Sequence, residues 1–204
     1  MAVYENHSSK NSLFIYSSYY DEQGNALTIY PLSSQKKHQA LSDYLFLDCG
    51  VVNTSTWLAE RSLFQRFPFD LQLAQCEDYD LLLRMECAGV EFVWCQTPAT
   101  VTNRDPREDR LSIRLKPEFY SKFLEQNSQR LTPMSYVVLE SIILNTAADP
   151  SSLWNRLRKH IFHFLKSPRL NWPARIGLML TYLIRRCSFR MRTLFRIRSR
   201  VLQT

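Results

Sequence analysis

Glycine is scarce, with four residues in a chain of 204, and no segment is of low complexity. Together with 45% hydrophobic and 13% aromatic residues, this excludes a disordered or fibrous chain and leaves enough apolar mass for a core. Cysteine is sparse and odd in number: Cys49, Cys76, Cys87, Cys95 and Cys187. No Cys-x-x-Cys pair or Cys/His metal spacing occurs, so a disulfide scaffold and a zinc module are excluded, and free thiols in a reducing compartment are expected. Long apolar runs are also missing. The longest near the end, Ile176 to Ile184, contains Thr181 and falls far short of the ~20 residues that a membrane span needs, so no transmembrane helix is expected. Met1 to Lys10 is too polar for a signal peptide, and no internal repeat is found.

Acidic residues are absent from one region. Residues 151–204 hold eleven arginines and two lysines with no Asp or Glu, whereas residues 1–150 hold thirteen basic and nineteen acidic residues. The chain reads as an acidic body with a strongly basic tail, divided near Asp149-Pro150-Ser151-Ser152.

Within the body, Leu13–Tyr16 and Ala26–Tyr30 read as two strands flanking a turn, Asp21 to Asn25, that contains Gly24. A polar loop, Pro31 to Gln39, follows. Leu47 to Val52 is an apolar stretch ending in Asn53-Thr54-Ser55-Thr56. Ala59 to Phe67 predicts a short helix with Leu63 and Phe64 inward, stopped by Pro68. Val90–Trp94 alternates large apolar and other residues and predicts a strand, with Pro98 ending that region. A charged loop spans Thr102 to Ser112. Helices are predicted over about 117–129 and 133–147, the second with Thr132 as N-cap and Pro133 at its first position.

Glu77-Asp78-Tyr79-Asp80-Leu81-Leu82-Leu83-Arg84 is the most informative stretch. Good helix formers run from about Glu77 to Ala88, and Gly89 supplies a C-terminal stop. A carboxylate in the first turn sits among unpaired N–H groups at the positive end of the helix dipole. Asp78 is therefore expected to stay ionised at neutral pH, ready to accept a proton. An ordinary acidic helix start would look the same.

Thr54-Ser55-Thr56-Trp57, then a short helix, Phe69-Asp70, the Glu77-Asp78-Tyr79 helix start and strand 90–94 form an ordered set. Over about residues 11–115 this set resembles the second half of a family 2 glycosyltransferase. The resemblance implies an α/β fold, a partial GT-A (Rossmann-like) sheet followed by an all-helical C-terminal extension. It divides the chain into an acceptor-side half-domain (1–115), a helical closure (116–150) and a basic amphipathic tail (151–204). It also implies inverting transfer of a sugar from a nucleotide-sugar donor to the hydroxyl of a glycan or lipid-linked acceptor, in cell-surface polysaccharide synthesis.

Under the same resemblance, Asp78 is the general base and Glu77, Trp57, Thr54 and Ser55 lie on the acceptor side. Arg104, in the loop with Ser112, faces the donor diphosphate, for which a guanidinium group is suited. Trp57 reads equally as a core residue, and Arg104 as a solvated loop arginine. The nucleotide-binding half, with its strand-end Asp-x-Asp that holds Mg or Mn, is not found. Asp78-Tyr79-Asp80 is not read as that motif, because Gln72 to Glu77 is too polar for a strand and a helix follows at once. No metal ligands are expected, and the chain is expected to be inactive alone, with apolar sheet edges and faces left exposed.

The tail predicts two amphipathic helices. The first carries Leu153, Leu157, Ile161, Phe164 and Leu165 opposite Arg156, Lys159, His163 and Lys166. The second begins near Pro173 and carries Ile176, Leu180, Leu183 and Leu194. Arginine-rich helices beside Trp154 and Trp172 favour contact with an anionic membrane, which places the protein in the cytoplasm at the inner face. Nucleic-acid binding lacks a recognition motif, and a solvated helical face remains open. A non-catalytic module acting through these basic helices is the alternative to the transferase.

Overall fold

The computed structural model describes residues 12–23, 26–48, 50–103, 117–146 and 153–180. The chain divides into two compact units, 1–147 and 148–204. The fold is mixed α/β, with a four-stranded sheet in the first unit and helices toward the C-terminus.

The sheet is built on β1 (Leu13–Gln23), which pairs antiparallel with β2 (Ala26–Tyr30) and with the two-residue β3 (Leu58–Ala59). On its other side it pairs in parallel with β4 (Glu91–Asn103). Residues 13–19 of β1 are all buried, as expected of a strand covered on both faces. Farther along, the register aligns Ile29, Tyr20 and Val101 in one cross-strand row. Ile29 is 38% and Val101 60% exposed, and Leu27, on the next row, is 58% exposed. These side chains leave an apolar patch at this end of the sheet.

Strand β4 corrects the reading that Pro98 ends the region. The ladder is regular from Glu91 to Cys95 and again from Thr100 to Asn103, with an irregularity between Ser17 and Tyr19 of β1. Pro98 falls in the interrupted part, where its missing N–H removes no ladder bond. Likewise β1 is longer than Leu13–Tyr16, because pairing on both sides carries it through polar residues to Gln23.

A helix at Leu41–Phe46 (α1) was not anticipated. Its first N–H, on Leu41, donates to Glu86 Oε1 at 2.6 Å, and Asp43 accepts hydrogen bonds from the hydroxyls of Thr132 and Ser135. Those partners come from remote parts of the chain, which is why the local pattern does not announce the helix. Gly50 lets the chain pass Tyr44: a Cβ there would lie 2.5 Å from the tyrosine ring. Next comes a 3-10 turn (Thr54–Thr56) and α2 (Arg61–Arg66), in which Leu63 is buried and Phe64 half-buried.

Helix α3 (Glu77–Cys87) sits between two apolar clusters. Leu81, Leu82 and Met85 join Phe14, Tyr16, Leu41 and Val52 under the sheet, while Leu83 and Cys76 join Phe123, Leu124, Leu131 and Leu139. All three leucines are fully buried, each contributing about 1.5–3 kcal/mol of transfer free energy. The helix ends as predicted. Gly89 takes φ +79°, its N–H donates to Glu86 O at 2.9 Å, and Val90 N–H donates to Met85 O at 3.1 Å. This double hydrogen bond is a Schellman motif, closed by Met85 and Val90 in the same cluster.

The second cluster is completed by α4 (Pro117–Asn127) and α5 (Pro133–Thr146). Ser135 N–H donates to Thr132 Oγ1 at 3.1 Å, so Thr132 caps α5 as its sequence predicts. The second unit contains α6 (Leu153–Lys166) and a helical stretch over 172–180. Within the second stretch Leu178 is buried while Leu180 is 49% exposed, so the inward stripe is offset from the predicted one. Leu183 and Leu194 lie outside the described residues.

Candidate active site at the start of helix α3

The chain enters α3 through Cys76, a non-glycine residue at φ +64° with no side-chain hydrogen bond capping the helix. A side chain in the left-handed region is disfavoured, and such residues persist where the surrounding packing fixes them. Here the Cys76 side chain is buried in the second cluster and shares a hydrogen bond with the Tyr120 hydroxyl. The resulting entry places Glu77 and Asp78 in the first turn.

Asp78 keeps some surface exposure, although its carboxyl is largely surrounded by protein. Its Oδ1 accepts the N–H of Tyr79 at 2.8 Å. Burial pushes the carboxyl up to about 6, the Tyr79 N–H pulls it down, and the charge of Glu77 adds to the rise. The helix dipole acts in the other direction, and desolvation outweighs it. The group still ionises below neutrality, so a carboxylate poised near pH 7 is available to take a proton.

Three further groups surround this carboxyl. Burial, then the charges of Asp78 and Glu77, push the Cys76 thiol up to about 12. Burial followed by the proximity of Cys76 and Asp78 pushes the Tyr120 hydroxyl up to about 12 as well. Tyr79, raised for the same reasons, packs edge-on against Phe46 at 5.3 Å and Phe123 at 6.5 Å between ring centroids. Sequence reasoning missed Tyr120, which lies on α4 beyond the charged loop and carries no local signal of its placement.

Asp80 has a different task. It is buried, accepts from Arg84 Nε at 2.7 Å and from Asn127 Nδ2 at 3.1 Å, and lies 4.0 Å from Arg130 Nη1. This carboxylate ties α3 to α4. Asp78 and Asp80 stand in a first helical turn and not at a strand end, so they do not form a strand-end Asp-x-Asp. Among the described residues no cluster of three or more His, Cys, Asp or Glu could hold a metal ion.

Thr54 and Ser55 are exposed on the 3-10 turn. Asn53 Oδ1 accepts from Ser55 N at 3.0 Å, while Ser55 Oγ lies 3.3 Å from Thr100 Oγ1 and Asn53 Nδ2 lies 3.4 Å from Thr102 Oγ1. The turn is thus stitched to the far half of β4. Trp57 turns inward: it meets Phe14 edge-on at 5.1 Å, lies near-parallel to Phe64 and Phe69, and donates from Nε1 to Val52 O at 3.2 Å. The core uses most of this side chain. Thr54, Ser55 and Trp57 share one turn against the sheet, and Glu77 and Asp78 share another element against α4. Arg104 and Ser112 lie outside the described residues.

No family model matches the chain, and no solved structure matches it. A curated protein, the amylovoran biosynthesis glycosyltransferase AmsB of Erwinia amylovora, is 31% identical over 77 residues. The match covers 38% of this chain and 26% of that protein, so the chain spans about a quarter of its relative's length. This partial similarity supports a relationship to glycosyltransferases.

Proposed function

We propose that this chain carries the acceptor side of an inverting, family 2 (GT-A) glycosyltransferase, with Asp78 as the general base. The observation that carries the reading is a carboxyl at a helix start, desolvated until it titrates at about 6. In a single displacement, the acceptor oxygen bonds to the anomeric carbon and its proton passes to Asp78. The bond from that carbon to the donor phosphate breaks, and a nucleoside diphosphate leaves. A base that ionises just below the working pH combines full deprotonation with the greatest remaining proton affinity.

Glu77 reinforces this tuning by its charge and presents a second carboxylate at the same helix tip. Thr54 and Ser55 offer exposed hydroxyls that match the hydrogen-bonding groups of a sugar. Trp57 contributes as a wall fixed by Phe14, Phe64 and Phe69. Arg104 is the candidate for the diphosphate, and the donor is a nucleotide sugar. The setting is polysaccharide synthesis on a glycan or lipid-linked acceptor at the cytoplasmic side of a membrane.

Nucleoside diphosphate release from a panel of nucleotide sugars, measured with the chain joined to or co-expressed with a nucleotide-binding half that supplies the donor site, tests the proposal. Asp78→Asn is expected to lower release by about a hundredfold or more, the range typical of a lost general base, with an unchanged circular dichroism spectrum. Release at the parental rate by the folded Asn variant would reject the assignment.

A further inference from the structure

We propose that the exposed face of α6, together with the turn into the 172–180 helix, is a docking surface for an anionic lipid bilayer. Among the α6 side chains that the structure describes, those of residues 158–166, the exposed ones are Arg158, Lys159, Phe162 and Lys166. They fall at positions i, i+1, i+4 and i+8, which lie on one side of an α-helix. His160 and Phe164, on the opposite side, are buried. The outer stripe is therefore three cations around one aromatic ring that is 58% exposed.

Charge complementarity selects an anionic partner. From Ser151 onward the chain contains no acidic side chain, so that region holds no carboxylate side chain to neutralise these cations. The turn after α6 continues the same chemistry. Arg175 Nη1 donates to Leu165 O and its Nε to Leu170 O, both at 2.8 Å, which fixes the turn against the end of α6. Asn171 Oδ1 accepts from Ala174 N at 3.0 Å and caps the next helix, so Trp172 is set at its first residue, 61% exposed.

Lipid is favoured over nucleic acid by what the apolar groups can do. Bases would need free aromatic faces, but the ammonium of Lys166 lies 4.3 Å from the centroid of Phe162 and covers its ring. Phe162 is still 58% exposed, and Leu180, 49% exposed, has no face on which a base could stack. Both suit the headgroup–acyl boundary, where apolar side chains enter and cations remain at the phosphates. No described helix is long and apolar enough to cross a membrane, so the contact is one of surface docking.

Flotation of the full chain with phosphatidylcholine vesicles, with and without phosphatidylglycerol, is the test. Binding is expected only with phosphatidylglycerol, and it should fall as salt is raised. Phe162→Ala with Trp172→Ala, both at exposed positions, should lower partitioning about tenfold or more. Charge removal by Lys159→Gln or Lys166→Gln should cost about fivefold each. Parental flotation by the double alanine variant, or equal flotation on neutral vesicles, would overturn the proposal. A single-stranded oligonucleotide that strips the chain from vesicles at equal phosphate concentration would instead assign the face to nucleic acid. The outcome is independent of whether Asp78 acts as a base, because none of these residues belongs to that site.

Discussion

The two ends of α3 are built to opposite specifications. At the C-terminal end a glycine takes the left-handed conformation, both free carbonyls are paired, and Cys87 faces solvent. At the N-terminal end a cysteine takes the same conformation, its side chain makes no cap hydrogen bond, and a carboxyl is held where burial raises it. One end is arranged for stability. The other keeps strain and desolvation, departures that cluster at functional sites.

Thiol labelling probes the contrast most sharply, because a cysteine stands at each end of the helix. Burial and the neighbouring carboxylates push Cys76 up to about 12, which lowers its thiolate fraction by about a thousandfold relative to an ordinary cysteine. Maleimide should therefore modify exposed Cys87 at once in the native protein and Cys76 only after denaturation. Mass mapping of the labelled peptides reads the result, and fast labelling of Cys76 would remove the contrast.

Breaking the lock next to the site should come next in size. Asp80→Ala leaves Arg84, Asn127 and Arg130 without the carboxylate they share, at a cost of about 2–4 kcal/mol. Urea denaturation would show it as a lowered midpoint.

The carboxyl two residues earlier should respond with the opposite sign. Its folded value, about 6, lies above the usual 3.8. The folded state thus binds the proton more tightly, and stability falls as pH rises from about 4 to about 6. Asp78→Asn removes that penalty and should stabilise the protein by about 1–3 kcal/mol at pH 7. The gain should vanish below pH 4, and a variant less stable than the parent at neutral pH would contradict the buried carboxyl. At the relaxed end, Gly89→Ala forces a side chain into a left-handed residue and should cost about 1–2 kcal/mol, measurable as a small drop in Tm.

How much of this was legible beforehand follows from the reach of each signal. Gly89, Pro68 and the Thr132-Pro133 pair act on their own helices, so the ends of α2 and α3 and the start of α5 could be read directly, whereas Ala59, expected in α2, is drawn into β3 by pairing with Phe14. Helix α1 could not, since Glu86, Thr132 and Ser135 hold it from afar. Nor could the full length of β4, which depends on pairing with β1 around the interruption at Pro98. In the candidate site, Glu77 and Asp78 stood out as residues at a helix start, but Tyr120 did not. In the tail, the cations were countable, whereas their alignment about Phe162 came with the helix.

The amino-acid sequence by itself determined the acidic carboxylate at the tip of α3, the stop at Gly89 and the separation of an acidic body from a basic tail. Each depends on neighbours within a turn or on composition alone. Only the tertiary structure decided that Asp80 is locked while Asp78 is desolvated. Solvation depends on every group that excludes water from a site, and for Asp78 those groups come from α3 and α4 together.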